Sequence, residues 1–248
     1  MLQRIEEQRE NVKNALIESV ESGEIKIDHE RLEKELKSLD KTYDVYYNQI
    51  KSGEVVFPDH IKKDIINKVY DEDIINQNKQ SIELFSKITS GEIKIENNEV
   101  SPRAPYPVCT PGDILYTKDG AIAQLFGHSG IVYSNTAVTE SYAGSGVKYY
   151  SLGTWFNPGG KDNIIGAKCS EISSALRTAA GNRAFSHCGK PYNYEFTKKN
   201  LTDKFYCSQL VYEAFKYAAG KDLSNGSTIV MPVQLVTHPY VTQIYVKQ

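Results

Sequence analysis

The hydrophobic rhythm of the chain changes after its first hundred residues. Before that point the apolar positions follow helical steps: Leu32, Leu36, Leu39, Tyr43, Tyr46 and Ile50 alternate intervals of four and three. Such a seam belongs to helices packed nearly antiparallel or as a coiled coil. A near repeat punctuates this region, with SGEIKI at 22–27, SGEVVF at 52–57 and SGEIKI again at 90–95. In each copy the glycine suits the left-handed residue that closes a helix. After the first copy, Asp28 is a good N-cap, and Ile27 with Leu32 fits a hydrophobic staple across it. Pro58 suits the first turn of a third helix running towards Thr89, with a break expected near Asp71–Asp73. Residues 1–100 thus predict a bundle of about three helices.

The segment ENNEVSPRAPYPVCTPGD, 96–113, is rich in proline and marks the domain boundary, with a second domain over 101–248. Beyond it the period shortens to two. GDILYT (112–117), SGIVYS (129–134), AVTESY (137–142), VKYYSL (147–152) and NIIGAK (163–168) read as strands of an antiparallel meander. Helices follow around 170–186 and 206–220, and VTQIYV adds a last strand. Strands followed by helices predict an α+β domain behind a helical one.

Composition narrows the function classes. A formal charge of -2 and a pI near 6.2 supply no basic footprint for nucleic acid. No apolar run is long enough for an integral membrane segment. The charged, helical start MLQRIEEQRENVKN is no secretory signal, which implies a cytoplasmic protein by default, or an exported one if a leader was removed. The four cysteines, Cys109, Cys169, Cys188 and Cys207, form no CxxC pair. Free thiols are therefore expected, with no disulfide scaffold and no metal site.

One thiol stands apart. In KFYCSQLVYEAFKYAAGK, Cys207 opens an amphipathic helix whose apolar face carries Leu210, Val211, Ala214, Phe215 and Ala218. A helix N-terminus favours a thiolate, but a cysteine at the edge of an apolar face is also ordinary core filling. The pattern alone does not separate the two. A general base must come from elsewhere; His128, starting a strand directly after a glycine in FGHSGIVYS, is better placed than His187 or His238. Glu140 joins it only in one register. A two-residue turn at Asn135–Thr136 sets residue 131 opposite 140 and puts Glu140 on the face away from His128. A three-residue turn, Ser134–Thr136, sets 130 opposite 140 and makes the two diagonal neighbours on one face. Asn-Thr is not a favoured two-residue turn, so the longer turn is the expectation. Ser129 is no nucleophile-elbow serine, because Ile131 occupies the place of the required second glycine.

Taken together, GDIL, GHSGIV, TESYAGSGV, GKPYNYEF and FYCSQLVYEAF resemble the circularly permuted branch of the NlpC-type papain-like cysteine hydrolases, the YiiX-like proteins. The histidine strand precedes the cysteine helix in that branch, as here, and MPVQLV (231–236) resembles a family segment following that helix. The resemblance runs from about Pro111 to Val246 and leaves the helical region aside. It implies a papain-like fold with Cys207 as nucleophile, His128 as base and Glu140 as the residue orienting the ring, with no cofactor. It also implies that Tyr192 lies near the active site; of the tyrosines clustered in this domain, Tyr142 and Tyr206 are expected to line the substrate groove with it. The expected activity is peptidase or amidase chemistry on peptides, cell-wall peptides included, or small amides. A lipid-directed acyltransferase or thioesterase and an inactive binding module are the alternatives. The helical region is expected to mediate self-association or to cover the groove.

Overall fold

The computed structural model describes residues 1–53, 69–95, 109–118, 127–156, 161 and 163–247. They fall into two compact units, one within Met1–Ile93 and the other within Lys94–Lys118 and Gly127–Gln248. Residues 96–108 of the expected connector lie outside the described residues, as does Pro58.

The described residues of the first unit form α1 (Leu2–Glu21), α2 (His29–Ser52) and α3 (Val69–Thr89). Ile5, Gln8, Val12, Leu16 and Ser19 form the buried stripe of α1, spaced by three and four as a one-sided helix requires. Arg9 pairs with Asp44 at 2.6 Å and Lys13 with Asp40 at 3.1 Å, so α1 and α2 run antiparallel. Asp28 caps α2 by accepting from the Arg31 backbone N–H at 2.8 Å. Gly23, Gly53 and Gly91 all take positive φ, as their places in the repeated SGE segments predict. Two details depart from expectation. The third helix runs unbroken through Asp71–Asp73. The α2 seam buries Leu32, Leu39 and Tyr43 but leaves Leu36 and Ile50 half-buried, while Glu35 is buried and paired with Arg31 at 2.8 Å.

The second unit is α+β. Its strands are β1 (Ile114–Thr117), β2 (His128–Ser134), β3 (Ala137–Tyr142), β4 (Gly146–Ser151), β5 (Ile164–Cys169) and β6 (Val241–Lys247). They form one antiparallel sheet in the order β4-β3-β2-β1-β5-β6. The meander holds from β1 to β4, but β5 returns to the free side of β1 instead of extending beyond β4. The outer edge of β4 is already taken: Val147 exchanges backbone hydrogen bonds with Gly189 (2.9 Å) and Lys190 (2.8 Å).

The helices are the short α4 (Gly153–Phe156), then α5 (Ser174–Phe185), α6 (Cys207–Ala219) and α7 (Pro232–Thr237). Ser173 caps α5, which starts later than the sequence pattern suggests, and Gly220 closes α6 with φ +65°. On one face of the sheet, Leu115, Val132, Val138, Leu152, Trp155 and Ile164 form a buried cluster. Helices α5, α6 and α7 cover the other face. There α6 buries Leu210, Val211, Ala214 and Phe215 completely, each such large side chain contributing roughly 1.5–3 kcal/mol.

Candidate active site

The hairpin that carries His128 and Glu140 reaches its register in an unexpected way. Ser134 pairs with Ala137 across a two-residue turn, yet Gly130 pairs with Glu140. A β-bulge between Val132 and Ser134 absorbs the difference, leaving Tyr133 as the extra residue. The turn is therefore the shorter of the two considered, while the register is the one expected of the longer. His128 and Glu140 end on the same face.

There the His128 Nε2 lies 2.6 Å from the Glu140 carboxylate, with both side chains almost wholly buried. The same carboxylate oxygen accepts the indole N–H of Trp155 at 3.1 Å. A carboxylate oxygen already receiving one donor faces Nε2, so Nε2 carries the ring proton and Nδ1 holds the free lone pair. Nδ1 is buried and has no hydrogen-bond partner among the described residues. Trp155 stacks on the imidazole, with centroids 5.5 Å apart and planes 24° apart. Gly130 is required for that stacking, because a Cβ there would come within 2.7 Å of Val138 and 3.3 Å of the indole. Tyr142 packs on the other side of the ring at 4.4 Å, and its hydroxyl accepts from Lys161. The Lys161 ammonium sits 4.9 Å from the Trp155 ring centroid and 5.1 Å from that of Tyr142. Burial, reinforced by the nearby Lys161 charge and opposed by Glu140, lowers His128 to about 4. The ring is thus neutral at physiological pH.

Cys207 occupies the first turn of α6, and the chain fixes that turn from three directions. Gln209 reaches back to accept the N–H of Tyr206 at 3.2 Å, half of a capping box. The same amide accepts from Asn193 and donates to the carbonyls of Lys199 and Leu201, so none of its hydrogen-bonding capacity is wasted in its buried site. Ser141 of β3 donates to the Phe205 carbonyl at 2.6 Å, tying the helix start to the sheet. Val230, just before α7, accepts from the Ser208 hydroxyl at 2.6 Å and donates to the Tyr206 hydroxyl at 3.1 Å.

The thiol itself is buried, and burial pushes it above the ordinary range. Backbone N–H groups of Ser129 and Ser208, and the hydroxyls of the same two serines, act in the opposite direction. The structure therefore joins His128 and Glu140 by a hydrogen bond and sets the thiol against Ser129, the residue immediately after His128. A Cys207–His128 hydrogen bond is not formed, since Nδ1 is unpartnered.

The three tyrosines expected at the site have different surroundings. Tyr142 is half-buried beside the imidazole. Tyr192 is buried near the thiol, and burial together with the Cys207 charge holds its hydroxyl well above the usual range. Its segment is bound to the helix start by Phe205 N–H to Pro191 carbonyl at 3.1 Å and Asn193 N–H to Phe205 carbonyl at 3.0 Å. Tyr206 is buried, with its hydroxyl engaged by Val230.

Sequence reasoning missed Trp155, Lys161 and Gln209. Trp155 left one clue: it is the only tryptophan of the chain, and a buried indole N–H needs an acceptor. No strand or helix pattern marks Lys161, whose ammonium meets the rings of Trp155, six residues earlier, and of Tyr142, nineteen residues earlier. Of the other cysteines, Cys109 is pushed up to about 12 by burial and the Asp113 charge, and Cys169 and Cys188 are raised by burial. Only Cys207 begins a helix. Among the described residues no three His, Cys, Asp or Glu side chains are grouped to hold a metal ion, and no helix is long and apolar enough to cross a membrane.

The chain is similar to known proteins. The chain is 27% identical over 197 residues to the uncharacterized protein YycO of Bacillus subtilis (strain 168), a match covering 78% of this chain and 77% of that protein. The crystal structure of metalloprotein YiiX from Escherichia coli O157:H7 is similar at 18% identity and a TM-score of 0.45, covering 57% of this chain and 98% of the other. The family described as permuted papain-like amidase enzyme, YaeF/YiiX, C92, matches residues 108–240, which span the histidine strand, the cysteine helix and the Val230 clamp. With its histidine strand ahead of its cysteine helix on an antiparallel sheet, the chain belongs to that permuted papain-like amidase family.

Proposed function

We propose that the second unit is a cysteine hydrolase of the amidase or peptidase type. Cys207 is the nucleophile, His128 the general base and Glu140 the residue that orients and charge-balances the ring. The observation that carries this reading is the commitment of His128 Nε2 to Glu140, which leaves Nδ1 as a buried, unpartnered base next to the residue that contacts the thiol.

The resting state is a neutral thiol and a neutral imidazole. As substrate binds, the Cys207 proton moves to Nδ1 and the sulfur attacks an amide carbonyl. Catalytic hydrogen bonds that are open in the free enzyme close in the substrate complex. The imidazolium, balanced by Glu140, then gives its proton to the leaving amine. Water attacks the resulting thioester, with His128 again taking the proton. Backbone N–H groups in the first turn of α6 have no intrahelical acceptors and are natural donors to the developing oxyanion. The substrate is a peptide or small amide, cell-wall peptides among them, with Tyr142 and Tyr192 contributing to its binding surface.

A panel of amide, peptide and ester substrates, assayed with wild type beside Cys207→Ala, tests this reading. Turnover by wild type with an acyl adduct on Cys207 in intact-mass spectra is the expected result. Undiminished turnover by Cys207→Ala would refute it, and preference for long-chain esters would move the activity to lipids.

A further inference from the structure

We propose that Ser129 is a further catalytic residue, whose hydroxyl donates to the Cys207 sulfur as it becomes a thiolate. This rests on the reading of Cys207 as nucleophile and adds to it the group that receives the charge. Ser129 is wholly buried on β2 and shares its face with Ile131, the face packed by α6. Its hydroxyl acts on the thiol but completes no hydrogen bond of its own among the described residues. Buried hydroxyls are almost always satisfied, so one left open beside a reactive atom calls for an explanation.

Counting protons on the neighbouring serines singles out Ser129. A serine has one O–H to give. The Ser208 hydroxyl, next to the cysteine, also acts on the thiol, but its proton goes to the Val230 carbonyl at 2.6 Å. Ser141, on the adjacent strand, gives its proton to the Phe205 carbonyl at 2.6 Å. Either would have to abandon a short bond to a buried carbonyl before it could serve the sulfur. Ser129 alone of these three has an uncommitted proton. When the Cys207 S–H bond breaks and its proton passes to His128 Nδ1, the sulfur becomes a strong acceptor. The Ser129 O–H can then turn to it, beside the Ser129 backbone N–H, without breaking anything. The donor is unsatisfied in the thiol state and satisfied in the thiolate, so the interaction favours the charged form selectively.

The test titrates the thiolate of the full-length protein by its ultraviolet absorbance, as the difference between each protein and its Cys207→Ala counterpart. This readout needs no substrate and no access of a reagent to the buried thiol. Ser129→Ala should raise the midpoint by about one pH unit or more, a tenfold or greater loss of thiolate, because a hydrogen bond to a charged group has at least that effect. Ser129→Thr keeps the hydroxyl and should titrate near wild type. Ser129→Val, the same shape without it, should behave as alanine does. The Thr/Val pair decides the matter if the alanine variant folds poorly. An unmoved midpoint in Ser129→Ala or Ser129→Val overturns the proposal. Absence of turnover in the wild type on every substrate would instead count against the hydrolase reading, leaving the titration to judge Ser129.

Discussion

Among the described residues, the α+β unit contains two buried histidine–carboxylate pairs, and only one of them is left chemically open. His128 binds Glu140 through Nε2 at 2.6 Å; His187 binds Glu213 through Nε2 at 3.0 Å. In both, a further donor steadies the carboxylate: the Trp155 indole for Glu140, and a two-pronged Arg183 guanidinium, at 2.6 to 3.3 Å, for Glu213. The difference is at the far nitrogen. Nδ1 of His187 accepts from Lys190 at 2.8 Å, whereas Nδ1 of His128 has no partner among the described residues. One pair is a closed network that ties α5 to α6 and to the Lys190–Tyr192 segment. The other ends in an unused lone pair. A histidine beside a carboxylate thus says little about catalysis until its second nitrogen is accounted for.

Breaking the two pairs should have opposite signatures. His128→Ala, like Cys207→Ala, should reduce turnover by about 10³-fold or more with little change in fold, measured as kcat and by circular dichroism. Glu140→Gln should lower kcat by about 10²–10⁴-fold, since it removes the charge that holds the ring in its working tautomer and balances the imidazolium. Glu213→Gln should leave kcat nearly unchanged at temperatures where the protein is folded. It should instead cost about 1–3 kcal/mol of stability in denaturant titration, because buried His187 and part of Arg183 lose their acceptor. A large loss of kcat in Glu213→Gln without loss of stability would erase the distinction.

Acid offers a subtler probe of the open pair. His128 is lowered to about 4 from the ordinary 6.5, with burial as the main cause. Between those values the unfolded chain binds a proton that the folded one does not. Its contribution to stability is therefore complete above the ordinary value and lost as pH falls towards about 4. His128→Gln should flatten this part of the stability–pH curve. In the wild type the acid limb of kcat/KM should fall near pH 4 rather than near 6.5, since the base must be neutral. The smallest effect belongs to Trp155→Phe, which keeps the stacking but deletes one neutral donor to Glu140. A fall in kcat of several-fold is expected, in line with about 1 kcal/mol for such a bond.

Much of this was readable in the chain where the signal is local. The helix opened by Cys207 and closed by Gly220, the three SGE glycines and the Asp28 cap all follow from residues within a turn of one another. The side-by-side placement of His128 and Glu140 was legible as a condition on register, though not as a fact. The parts that escaped depend on distant partners. The pairing of β5 with β1 depends on the Gly189–Lys190 backbone occupying the edge of β4, some forty residues away in sequence. Trp155 joins the site because the sheet face needs a large ring over Gly130, and the Lys161 ammonium lies over that ring. No window of ten residues contains the meeting of Gly189–Lys190 with β4 or of Trp155 with Gly130.

The bulge at Tyr133 also has a bearing on how this protein can be improved. A designer seeking a sturdier hairpin would iron out the irregular position and install a favoured turn, and thermal selection would reward the same change. With every residue retained, the flattened ladder would place Ile131 opposite Glu140 and rotate the carboxylate to the far side of the sheet. Removing Tyr133 outright would instead keep Gly130 opposite Glu140, at the cost of the ring stack on Phe185. The most regular hairpin this sequence can form and the hairpin that serves His128 are different objects, separated by one residue.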